Sequence, residues 1–230
     1  MSGEISNFIR MYSLSRGMIT EAFKKAFMLK DEGKFAVSNT HRSAKFVYEV
    51  AEQLHRFSDD DDILYVQKVD DSGVKKGGEW MYDITIAENK SITDPKYPHR
   101  RISFISTIKW AVESEYSTSL REFSKDFSKL LIGKPYNILY LNGLDQADEI
   151  DANKYIMRRI ETTEGIIRES EVLSGSSIPN IYMGFWPTPQ KVKRNWKNKS
   201  QWDFYVDPGA LIKRIRLYKY NTKKGKFEEH

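Results

Sequence analysis

The stretch Lys109-Trp-Ala-Val-Glu-Ser-Glu-Tyr116, KWAVESEY, has the vocabulary of a buried β-strand and then places carboxylates at 113 and 115, where the apolar pattern should continue. Side chains alternate across a strand, so Lys109, Ala111, Glu113 and Glu115 share one face, and Trp110, Val112, Ser114 and Tyr116 take the other. The same parity in Glu79 to Ala87, EWMYDITIA, sets Glu79, Met81, Asp83 and Thr85 against Trp80, Tyr82, Ile84 and Ile86. Two strands can therefore bring acids to a common place. Clustered carboxylates repel, and in a partly buried site at least one takes up a proton unless a cation is present. Mg²⁺ removes the conflict, because one or two carboxylates with waters and a substrate phosphate complete its octahedron. Such an ion also stabilises charge on a phosphodiester in flight. Spacing alone leaves a second reading open, in which Glu113 and Glu115 line the solvated face of an edge strand, paired with Lys109 or a cross-strand base at little energetic consequence.

Working outward, Ile19 to Lys30 reads as a helix, and Ser38-Asn39 opens a second. In the second, Phe46, Val47, Val50, Ala51, Leu54 and Phe57 recur at helical spacing and should face the core. The acidic run Ser58 to Asp62 reads as a solvated helix-to-strand turn. Ile63 to Lys68 is a short strand, and the Gly-rich DDSGVKKGGE is hairpin chemistry without a phosphate-loop pattern. The run ISFISTIKWAVESEY supplies one or two strands. Thr118 to Ile132 is an amphipathic helix with Leu120, Phe123, Phe127, Leu130 and Leu131 inward, closed by Gly133 and Pro135. Asn137 to Asn142 is a buried strand, Asn153 to Leu173 a helix and Ile181 to Trp186 another strand. The predicted class is α/β or α+β, a mixed central sheet flanked by helices in a single domain of residues 1–230.

The 230 residues are 40% hydrophobic and 30% charged, too apolar for disorder and too polar for a membrane protein. No run approaches the roughly 18 apolar residues of a spanning helix, and the first twenty residues lack the apolar core of a signal peptide. The absence of cysteine excludes disulfides and thiolate metal sites, and the expected setting is reducing, intracellular and cytoplasmic. His41, His55, His99 and His230 stand in unrelated contexts without metal spacing, and Gly175 to Ser177 lacks the setting of a nucleophile elbow.

Charge is unevenly spread. Residues 185–230 carry twelve Lys or Arg against four Asp or Glu, a local +8 within a total of +5, so the rest carries −3. Within that basic part, Gln190 to Trp202 interleaves Lys191, Lys193, Arg194, Lys197 and Lys199 with Trp196 and Trp202. Cationic groups there can neutralise phosphates while indoles stack on exposed bases, which points to nucleic acid as the partner. A solvated loop anchored by its tryptophans is the alternative. Lys213-Arg-Ile-Arg216 with Lys219 adds a second basic strip.

An early helix with a Glu, a strand Asp, an apolar strand ending Glu-x-Glu, an amphipathic helix and a further strand together resemble the PD-(D/E)XK restriction-endonuclease-like nucleases. Asp83 with Glu113-Ser-Glu115 is similar to the variant in BamHI-type enzymes, where Glu stands in place of the usual lysine. The likeness spans about residues 40–142. It implies a restriction-endonuclease-like fold and Mg²⁺- or Mn²⁺-dependent cleavage of DNA in restriction or defence, with two-fold dimers as the expected assembly. It makes Asp83 and Glu113 the metal ligands, a main-chain carbonyl next to Glu113 a further ligand, and Glu115 the general base. Glu79 is a further candidate acid, and Glu49 or Glu52 a candidate for the acid of the first helix. The chain departs from the pattern in having Tyr82 rather than Pro before Asp83, no lysine in the Glu-x-Glu, and a separation of thirty positions from Asp83 to Glu113, which demands a long hairpin or an extra strand. A scaffold of this kind that has lost catalysis and acts as a DNA-binding or protein-interaction module is the alternative.

Overall fold

The computed structural model of the chain describes residues 14–27, 39–69, 75–78, 80–116, 119–146, 148–170, 179–187 and 208–230. The elements run α1 (Arg16–Phe27), α2 (Asn39–His55), β1 (Asp62–Val66), β2 (Lys68–Val69), β3 (Lys75–Lys76), β4 (Ile84–Thr93), β5 (Arg101–Glu115) and α3 (Leu120–Ile132). They continue β6 (Asn137–Leu144), α4 (Glu149–Glu169), β7 (Asn180–Pro187), α5 (Pro208–Lys213), β8 (Arg216–Asn221) and β9 (Lys226–Glu229). Seven strands form one mixed sheet in the order β1-β4-β5-β6-β7-β8-β9, while β2 and β3 pair separately. β5, β6 and β7 are parallel to one another, because helical crossovers α3 and α4 return the chain to the same end of the sheet each time. The remaining pairs are antiparallel.

Alternation along the strands splits the core in two. Ile84, Ile86, Trp110, Val112, Leu139, Leu141 and Trp186 face α1 and α2. Ala111, Ile138, Tyr140, Met183 and Phe185 face α3 and α4, where Phe123 and Phe127 meet Tyr140 edge to ring. Helix α3 starts at an N-cap, Ser119, whose Oγ accepts from Glu122 N, so the helix begins at Leu120, two residues later than the expected Thr118. No helix among the described residues is long and apolar enough to cross a membrane.

The strand expected from Glu79 begins only at Ile84, because Met81 takes a positive φ of 64° and Tyr82 N closes a tight turn onto Trp80 O at 2.8 Å. That turn swings Tyr82 onto the α3 face, away from Ile84, so the alternation of the strand does not extend back through it. The run from 101 to 115 is one strand, the first of the two counts expected, irregular where it passes Ile86/Ala87 and Glu88/Asn89. Together β4 and β5 make the long hairpin that the spacing of Asp83 and Glu113 demands. The acidic turn after α2 has an inward role: Asp62 Oδ2 accepts from Asp59 N at 3.0 Å, and both carboxylates hold Lys109 Nζ, Asp62 at 2.9 Å.

Candidate functional site

Asp83 ends the turn before β4, and the pairing of Ile84 with Val112 sets it across from Glu113. Its Oδ2 accepts from Ser114 N at 2.7 Å, a side-chain rung added to the end of the β4–β5 ladder. Glu113 is 7% exposed and forms an ion pair with Lys129 Nζ of α3, while its Oε1 has no well-aligned hydrogen-bond donor. Its pKa is pushed up to about 7, first by burial; the Lys129 ammonium pulls against this, and Asp83 and Asp126 push with it. Burial pulls Lys129 down, but Glu113, then Asp126 and Asp83, outweigh it and hold the lysine above its ordinary value. Burial also raises Asp126, with Lys129 opposing and Glu115 adding to the rise.

Four carboxylates and one ammonium thus share the space between the carboxyl end of β5 and the flank of α3. The pairing of β5 with β6 puts Tyr140 beside Glu113 and Asn142 beside Glu115. Tyr140 Oη and Asn142 Nδ2 are both buried without a hydrogen-bond partner among the described residues. Burial, followed by the charges of Asp126 and Glu115, drives the Tyr140 phenol far above its ordinary pKa, so it stays a neutral donor. Tyr82 closes the other side: its hydroxyl donates to Lys129 O at 3.3 Å and its ring lies 5.4 Å from Lys129 Nζ.

Asp83 and Glu113 are therefore brought together, and Glu115 lies two residues along the same face, with its Oε1 accepting from Tyr116 N at 2.6 Å. Glu49 is not brought to them. It pairs with Lys25 at 3.5 Å on α2, which packs on the opposite face of the sheet. Lys109 is committed to Asp59 and Asp62. Glu79, the basic residues Lys191, Lys193, Arg194, Lys197 and Lys199, and Trp196 among them lie outside the described residues. In the second basic strip, Arg214 and Arg216 are held by Glu149 at 2.8 and 3.7 Å, and Lys219 lies 5.2 Å from the Tyr182 ring.

Sequence reasoning missed Lys129, Asp126, Tyr140 and Asn142. Asp126 and Lys129 interrupt the apolar stripe of α3 between Phe123, Phe127 and Leu130, a three-residue spacing that marks one polar ridge beside the buried face. Tyr140 and Asn142 are two apart in a buried strand, which assigns them a common face, but only the register of β6 on β5 shows which acids they meet.

Asp83 and Glu113 fit the one or two carboxylates by which proteins usually hold Mg²⁺, and the orphaned Tyr140 and Asn142 donors fit a polar, hydrated ligand beside them. No group of three or more His, Asp or Glu side chains among the described residues is arranged to hold a metal. Comparison with protein-family models, with curated proteins and with solved structures finds no match.

Proposed function

We propose that the chain is a Mg²⁺-dependent phosphodiesterase of restriction-endonuclease-like fold acting on DNA, intracellular and working as a homodimer. The observation that carries this reading is the meeting of Asp83, at the mouth of β4, with the buried Glu113 of β5. It occurs on the antiparallel strands β4 and β5, after the early helix α2 and before the amphipathic helix α3 and the parallel strand β6, in the order of the elements that carry the resemblance. Asp83 and Glu113 would hold the ion, which supplies a polarised water and a counter-charge for the phosphate. Glu115, on the same face and less buried, accepts the proton of the attacking water, in the role that the resemblance gives it. Lys129 neutralises Glu113 in the resting site and faces the developing phosphate charge once released from it. The neutral Tyr140 and the Asn142 amide orient water or phosphate oxygens by donating to them.

The test is cleavage of supercoiled plasmid and of single-stranded DNA with Mg²⁺ or Mn²⁺ by the unaltered chain, Asp83→Ala and Glu113→Ala. Loss of cleavage in both variants, with folding retained, supports the proposal; equal activity in all three overturns it. One observation favours a second reading, a nuclease-like scaffold that binds without cutting: the Lys129–Glu113 pair already balances the buried acid without any ion. That reading expects no metal-stimulated cleavage, but a salt-dependent DNA affinity that weakens when Lys193, Arg194 and Lys197 are neutralised.

A further inference from the structure

The end of the β4–β5 hairpin stands clear of the other described strands and helices. β1 accompanies β4 only as far as Glu88, and β6 joins β5 only from Trp110. Beyond these limits five ladder pairs, Asn89 with Ile105 through Thr93 with Arg101, continue without a neighbouring strand, for roughly 17 Å before the turn. From Lys90 to Phe104 every residue except Asp94 is exposed. A two-stranded ribbon of this kind gains little stability by itself and is retained here with its apolar side chains in solvent.

The ribbon has two different faces. Asn89, Ser91, Thr93, Arg101 and Ser103 share one with Ile105 at its base, and the Arg101 guanidinium donates to Ser91 Oγ at 2.7 Å and to Ser91 O at 3.0 Å. Lys90, Ile92, Ile102 and Phe104 share the other, with Ile92 directly opposite Ile102 and the three apolar residues 51%, 44% and 41% exposed. At the tip, the one acid of residues 89–107 is spent on the backbone: Asp94 Oδ1 accepts from Lys96 N at 2.8 Å and Tyr97 N at 3.1 Å. Lys90 is paired with Glu88 at 3.4 Å. Lys96, Arg100 and Arg101 are left without a carboxylate partner among the described residues, and Lys96 and Arg100 flank the exposed Tyr97 ring at 5.3 and 4.6 Å.

We infer that this ribbon is an arm that enters a groove of double-stranded DNA. The inference rests on the nucleic-acid reading above for its polyanion, and adds where the chain grips it. A two-stranded β-ribbon matches the width of the major groove, where short hydroxyl, amide and guanidinium side chains reach base edges and apolar ones reach thymine methyls. The cationic tip meets phosphate. Charge excludes a second copy as the better occupant, since each chain carries +5 and would bring an equally basic tip to the contact. The arm is also built from the two strands that carry Asp83 and Glu113 at their other end. Nine residues separate Phe104 from Glu113, about 30 Å along the strand, so a duplex laid along the hairpin contacts the arm and the acids within about one helical turn.

The test is fluorescence anisotropy of the full chain with a labelled duplex of about two helical turns, in chelator and across a salt series, for the unaltered chain and a Lys96→Ala, Arg100→Ala, Arg101→Ala variant. The arm predicts affinity at least about tenfold weaker for the variant and a salt slope smaller by about 2 to 3, with an unchanged melting curve. Wild-type affinity and slope in the variant overturn the arm, as does a chain that binds no duplex at all. Light scattering supplies a further check: a dimer lost in Ile102→Lys with DNA affinity unchanged assigns the ribbon to self-association and overturns it. Asp83→Ala separates the two proposals. If that variant still cleaves, the metal site fails, while the arm continues to stand or fall on the binding series.

Discussion

Replacing Glu113 with Gln should stabilise the protein at alkaline pH and leave it unchanged in acid. Glu113 titrates near 7 in the folded chain against 4.5 as its ordinary value. The folded state therefore keeps a proton that the unfolded chain releases, and between those values stability falls as pH rises. The contribution of the neutral carboxyl is fully present below about pH 4.5 and is lost as pH climbs through about 7. At 1.36 kcal/mol per unit, the difference amounts to about 3 kcal/mol at about pH 8. Because Glu113 is nearly buried, solvent screening takes little from this figure. Gln mimics the protonated side chain at every pH, so Glu113→Gln escapes the penalty. Urea unfolding of both proteins in chelator, from about pH 4.5 to about pH 8, should give curves that coincide at the acid end and diverge by about 3 kcal/mol at the other, with equal m-values. A separation that does not change with pH would show that Glu113 is ionised throughout, and the account of the buried acid would be wrong.

Three further outcomes follow from the same geometry. Lys129→Met removes the cation that, among the described residues, lowers Glu113, so the carboxyl should titrate above 7, as read from the pH dependence of unfolding or from the side-chain carboxyl resonance. Asp83→Asn removes the nearest like charge while an amide oxygen can still accept from Ser114 N, so Glu113 should shift towards its ordinary value in the same measurement. Phe127→Ala opens a void beneath α3, where the ring is fully buried against Phe123 and Tyr140, and should cost about 3–5 kcal/mol in urea unfolding.

The sheet was legible in the sequence wherever a strand is buried and regular. Trp110, Val112 and Ala111 segregate to opposite cores as period-two alternation requires, and the same alternation put Glu113 and Glu115 on one face. It failed at Tyr82, because one residue in the left-handed region, Met81, resets the parity, and nothing in the side chain of methionine announces that conformation. The partners of the buried acid were not legible for a different reason. Lys129 and Asp126 sit on a helix whose rotation over the sheet is fixed by how Phe123, Phe127 and Leu130 pack, a tertiary fact that periodicity locates only to a face. Residues 90–104 illustrate the opposite case: their alternation of apolar and polar residues is that of a half-buried strand, yet no neighbouring strand among the described residues covers them. Alternation describes a pleated ribbon with two unlike faces and carries no information about what either face meets.

The chemistry of the site reduces to a competition for one carboxylate. Burial first, and then Asp83 and Asp126, make Glu113 costly to ionise, and among the described residues Lys129 offsets them. A divalent cation shared with Asp83 would supply twice the charge at the same oxygens and release Lys129 towards solvent, where its side chain is already 45% exposed. Binding then expels the proton that Glu113 retains below about pH 7, so metal affinity must rise with pH through that value and level off above it. Calorimetry with Mn²⁺ in buffers of different ionisation heat reads the expelled proton directly. Heat with proton release near neutral pH, lost in Glu113→Gln, is what a working metal centre requires. A scaffold in which Lys129 is the permanent counter-ion gives no heat at any pH.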